Sequence, residues 1–157
     1  MNASLPPAKP ELGDSDPRIA YNRVVFALLR IERTMLQDIA RELRSIDIPD
    51  PIWFEILLAA EEADNQGVQM LTLQRRLCVP QYTLSRLIAR MQAAGLIRRQ
   101  ASSGAGRSQR VFLTPAAQGL RQRIWEVYEA SIQQAMAKRL NTDEAYDLVR
   151  LLNRLYD

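Results

Sequence analysis

The chain has 157 residues, 47% hydrophobic and 25% charged, which suits one soluble domain large enough to bury a core without staples. With one cysteine, Cys78, and no histidine, an intramolecular disulfide is excluded, a Cys/His zinc site lacks its ligands, and histidine-based acid–base or nucleophilic catalysis is closed. No apolar run approaches the roughly 18 residues of a membrane helix and no basic-then-apolar leader opens the chain. A cytoplasmic protein is therefore expected, with no membrane partner, cofactor, metal or catalytic residue.

The net charge of +3 hides an uneven distribution. No Asp or Glu occurs over 65–125, a stretch that holds Arg75, Arg76, Arg86, Arg90, Arg98, Arg99, Arg107, Arg110, Arg121 and Arg123. All 18 acids lie in the flanks. So basic a block repels itself, and its purpose is to meet a polyanion. Arginine suits phosphates and guanine edges, which a planar guanidinium grips with two bonds.

In chain order, residues 1–17 hold four prolines and read as a loosely ordered arm. Over 18–45, Val25, Leu28, Leu29, Met35, Leu36, Ile39 and Leu43 fall near one face of a long helix. A second helix opens at Asp50 and Pro51, a capping residue and a first-turn proline. It carries Trp53, Ile56, Leu57 and Ala60 and stops at Gly67. Thr72 opens a short third helix to Leu77, and Cys78-Val79-Pro80 form a turn. A fourth helix runs from Gln81 to about Ala94 and is closed by Gly95. Its Leu84, Leu87, Ile88 and Met91 stand at i, i+3, i+4, i+7. Strands follow at 96–100 and 110–114, joined by a Gly/Ser-rich hairpin loop over 102–109. Thr114 and Pro115 start a fifth helix that reaches about Arg139. Asn141, Asp143 and Glu144 start a sixth, striped by Ala145, Leu148, Val149, Leu152, Leu155 and Tyr156.

Helix, helix, turn, helix and hairpin inside the basic block form a winged helix-turn-helix pattern in a mainly α chain. The outer face of the fourth helix carries Gln81, Tyr82, Thr83, Ser85, Arg86, Ala89 and Arg90 and no acid, a set suited to base edges and phosphates in the major groove. Arg107, on the slim hairpin loop, suits a minor groove. With Arg75, Arg76 and Arg110, these polar and basic residues are the candidate contacts to double-stranded DNA. The DNA-binding module needs only 50–115, yet 18–47 and 116–157 also bear apolar stripes that must be buried. A homodimer is expected, with Val25, Leu148, Leu152, Leu155 and Tyr156 in its interface.

The segment 84–97, Leu-Ser-Arg-Leu-Ile-Ala-Arg-Met-Gln-Ala-Ala-Gly-Leu-Ile, resembles the recognition helix and wing entry of the MarR-type regulators. Residues 107–115 are similar to the same family's wing motif, with Arg107 on its arginine and Leu113-Thr114 on its Leu-Thr pair; Trp53 sits where many members have a tryptophan. The motif's acid falls on Ala105, a departure that implies a looser wing, or one ordered only on DNA. The resemblance implies one regulator domain over 18–157, a homodimer, a pseudo-palindromic operator, and often release by a small aromatic or phenolic effector. We expect a repressor of this kind, with Phe26, Arg30, Trp53 and Leu57 around the effector. The alternatives are an architectural or protein-interaction winged helix without a switch, and a redox sensor using Cys78. Cys78 reads first as a small buried residue of the tight turn.

Overall fold

The computed structural model describes residues 13, 16, 18–101 and 109–156. The chain forms two compact units, Met1–Asp38 and Ile39–Asp157. The first contains α1 (Ile19–Ile31) and a π-helical stretch, Glu32–Leu36. There the Thr34 hydroxyl donates to the Arg30 carbonyl at 2.7 Å. Such bonding four residues back competes with the helical ladder. No residue of α1 is buried, and Tyr21, Val24, Val25, Phe26, Leu28 and Leu29 are all exposed.

α2 (Gln37–Arg44) leads into the second unit and buries Ile39, Ala40 and Leu43. α3 (Ile52–Glu62) follows, with Asp50 accepting from the Ile52 amide at 3.0 Å. A 3-10 turn over Asp64–Gln66 ends at Gly67, whose φ of 63° and ψ of 155° belong to glycine. Next come β1 (Val68–Gln69), α4 (Met70–Leu77), α5 (Gln81–Ala93), β2 (Ile97–Ala101) and β3 (Gln109–Leu113). α6 (Pro115–Met136) and α7 (Thr142–Asn153) complete the chain. The three strands are antiparallel in the order β1-β3-β2, with Val68 opposite Val111 and five paired positions from Ile97–Leu113 to Ala101–Gln109.

One core joins these elements. Ile56, Leu57, Leu73, Leu84, Ile88, Met91, Ile97, Val111 and Ile124 are buried together, bringing α3 to α6 and the sheet around a single apolar centre. α6 also stacks Trp125 on Phe54 of α3, with centroids 5.3 Å apart. An ion pair between Arg121 and Glu61 joins the same two helices.

Several elements differ in detail from the sequence reading. β1 was not foreseen: two residues are too short to show alternation, and the strand exists because β3 pairs with it. α4 consequently starts at Met70 rather than Thr72. Thr114 gives α6 no side-chain cap; its hydroxyl donates instead to the carbonyls of Gly95 at 2.6 Å and Leu96 at 3.1 Å, closing the base of the hairpin. At α7 the expected start holds, and Asn141 and Glu144 form a reciprocal capping box. Among the described residues, no helix is long and apolar enough to cross a membrane.

Candidate nucleic-acid interface

Two short helices and the turn between them build the site. α4 ends when Cys78 takes a left-handed conformation, φ 51° and ψ 35°, which reverses the chain toward Pro80. Contrary to the expectation of burial, Cys78 is exposed; its thiol donates to the Arg75 carbonyl at 3.6 Å. Pro80 stands in extended conformation before α5 and accepts from the Leu84 amide at 3.0 Å. α5 then buries Leu84, Leu87, Ile88 and Met91 against the core.

The opposite face of α5 is turned to solvent. Gln81, Tyr82, Thr83, Arg86, Ala89 and Arg90 are exposed, whereas Ser85 is half-buried. The structure thus brings most of the expected helix face together. Tyr82 stands clear of the surface, 71% exposed, with the Arg86 guanidinium 5.6 Å from its ring centroid. Arg90 lies 6.0 Å from the ring centroid of Trp53. A shallow cavity of about 190 Å³ opens between Asp50 and Tyr82, Thr83, Arg86, Leu87 and Arg90. Among the described residues no acid forms an ion pair with Arg86 or Arg90. Their charge is free to meet an outside anion.

The other basic residues divide. Arg75, in the last turn of α4, is exposed. Arg76, its neighbour, is tied to Glu62 of α3 by two bonds, 2.5 and 3.3 Å, that hold the Glu62 carboxyl below the usual glutamate range and raise the Arg76 guanidinium. Arg110, read from sequence as a DNA contact, donates to the backbone carbonyls of Gln66 and Gly67, both at 2.9 Å. One of its guanidinium nitrogens is thus engaged by the protein's own backbone, a contact that sequence spacing had no means of revealing because its acceptors are main-chain atoms 43 and 44 residues away. Arg107 lies outside the described residues.

The residues read as an effector site fall on two elements. Phe26 and Arg30 are exposed on α1, and Trp53 and Leu57 are buried on α3. The indole Nε1 of Trp53 is buried and has no hydrogen-bond partner among the described residues. Of the expected interface residues, Val25, Leu148, Leu155 and Tyr156 are exposed and Leu152 is half-buried. Leu148, Leu155 and Tyr156, with Tyr146, Val149 and Leu151, give α7 and the turn after it a broad apolar surface, and no residue of α7 is buried.

Comparison with known proteins agrees with this architecture. Residues 46–108 match the MarR family model. No curated protein sequence matches the chain. Among solved structures, a MarR family regulator from Silicibacter pomeroyi is 27% identical, with 84% of this chain and 86% of that one covered and a TM-score of 0.64. A MarR family regulator from Streptomyces coelicolor, in complex with DNA, superposes with a TM-score of 0.77 at 19% identity, covering 90% and 91%. BpsR of Bordetella bronchiseptica, whose DNA binding is regulated by 6-hydroxynicotinic acid, gives 0.76 at 20% identity, covering 85% and 93%. The segment 46–108 is thus a MarR-family segment, and the chain that carries it has the winged helix-turn-helix fold of that family's structures.

Proposed function

We propose that this protein is a sequence-specific DNA-binding transcription regulator that inserts α5 into the major groove. The observation that carries this reading is the exposed face of Gln81, Tyr82, Thr83, Arg86 and Arg90, whose two cations have no acidic partner among the described residues. An α-helix fits the major groove, hydroxyl and amide groups read base edges there, and arginine grips guanine or phosphate. Arg75 extends this face, and Arg107 is assigned to the adjacent minor groove.

The working form is a homodimer acting as a repressor on a pseudo-palindromic operator. The apolar surfaces of α1 and α7 support it, since a soluble protein rarely leaves such surfaces open to water. A two-fold dimer presents two equivalent α5 helices and needs two half-sites about one helical turn apart. We assign release to a small aromatic or phenolic effector bound near Trp53. Its buried, unpartnered Nε1 supports that position, because an acceptor supplied by a ligand would remove the cost of a donor left without a bond.

Selection of bound fragments from random duplex DNA by the purified protein tests the reading. Enrichment of one two-fold-related site is expected. Recovery of unenriched DNA at 0.15 M salt contradicts it.

A further inference from the structure

The hairpin faces two ways. Along β3, Val111 is fully buried, so Arg110 and Phe112 stand on the opposite face of the sheet. Their cross-strand partners on β2 are Gln100 and Arg98. Arg98 donates to the Gln100 side-chain oxygen at 2.9 Å and lays its guanidinium 4.2 Å from the Phe112 ring centroid. That ring also rests on Gly67: a Cβ at this glycine would lie 2.6 Å from two ring carbons. Arg110 reaches the same turn, donating through one nitrogen to the carbonyls of Gln66 and Gly67. Arg98, Phe112, Gly67 and Arg110 therefore make one connected layer on one face of the hairpin.

Two features explain why this layer forms. Successive carbonyls of an extended strand point to opposite sides. The φ of 63° at Gly67 changes that relation, so that two neighbouring carbonyls share one guanidinium nitrogen. Arg110 takes main-chain carbonyls as its acceptors, and a bond from a charged donor is stronger than one between neutral groups. The turn it grips leads into β1 and, without a linker, into α4, which packs on α5.

We propose that Arg110 is a positioning residue: by clamping the turn at 66–67, with Phe112 seated on Gly67, it sets the bearing of the β2–β3 hairpin on the helix-turn-helix, and it serves DNA recognition through that bearing rather than by touching phosphate. The proposal rests on the DNA-binding reading above. It makes Arg110 and Phe112 one unit, so that loosening either releases the same contact.

The test uses the full chain, with Arg110→Met, Phe112→Leu and the double variant. Amide hydrogen exchange is followed in the free protein, and binding is followed by fluorescence anisotropy on a duplex recovered by the selection above. Arg110→Met is expected to speed exchange over 97–101 and 109–113 about tenfold, the effect of losing one charge-assisted bond, while leaving α3 and α6 unchanged. Its duplex affinity falls about tenfold as well, and the double variant binds no worse than the weaker single one, because residues acting as one unit are not additive. Unchanged hairpin exchange with lost affinity, or additive losses, would make Arg110 a direct contact and overturn the proposal. Faster exchange with wild-type affinity would overturn it too, since the hairpin's bearing would then not serve DNA binding. Should Arg110→Met fail to fold by circular dichroism, Arg110→Gln, which keeps a donor, is read by the same criteria. If wild type binds no duplex, the DNA-binding reading fails and this one with it, whereas the exchange experiment still reports whether the clamp exists.

Discussion

At the scale of single residues, the arginines of the acid-free stretch divide by what they touch. Arg76 and Arg121 are paired with Glu62 and Glu61, which lie just before that stretch in sequence. Arg110 serves two carbonyls, and Arg99 donates to Gln92 at 2.6 Å. Arg86 and Arg90 lie over aromatic rings and form no ion pair among the described residues, and such contacts leave most of the cation's field available. Charge counting along the sequence located the basic block but had no means of separating these roles, because the partners come from other elements. Gly67 is a second residue whose weight shows only in three dimensions. Its backbone conformation is closed to L side chains, and Phe112 fills the space a side chain would need. Gly67→Ala is expected to cost about 1–3 kcal/mol of folding stability for the backbone conformation alone. Urea denaturation checks this value, and a midpoint equal to wild type would contradict the strain argument.

At the scale of elements, what was legible depended on whether a signal is local. Apolar spacing located α3, α5 and α7 because each carries its own stripe. The start of α7 was legible from Asn141 and the acids of the first turn, which are local signals, and the structure adds the capping box between Asn141 and Glu144. Replacing Asn141 by Ala is expected to cost about 1 kcal/mol, concentrated in α7. The helical circular dichroism signal on thermal unfolding measures it, and no loss would mean that packing alone holds the helix start. β1 was illegible for the opposite reason: Val68 and Gln69 are a strand only because Val111 and Arg110 stand beside them. Thr114 was expected to cap, a sound local rule, but the carbonyls of Gly95 and Leu96 were nearer competitors for its hydroxyl. Cys78 was expected inside because small residues often fill tight turns, yet the left-handed conformation that makes this turn leaves its thiol outside.

At the scale of the whole molecule, the apolar surfaces of α1 and α7 are the main unpaid term of the single chain. Val25, Phe26, Leu155 and Tyr156 are each more than half exposed. Covering them stabilises the protein by roughly 25 cal/mol for each Å² removed from water. Sedimentation equilibrium at micromolar concentration is therefore expected to give twice the chain mass of 17.9 kDa, and a monodisperse monomer would contradict the proposed dimer. The exposed face of α5 is tested most directly by its contribution to DNA affinity. Anisotropy titrations of the selected duplex at 0.15 M salt compare wild type with the Arg86→Ala, Arg90→Ala double variant, with equal folding checked by circular dichroism. Each arginine that grips a base or phosphate is worth about 1–3 kcal/mol, so the double variant is predicted to bind at least about 30-fold more weakly. Wild-type affinity in a folded double variant would contradict the assignment of this face to DNA.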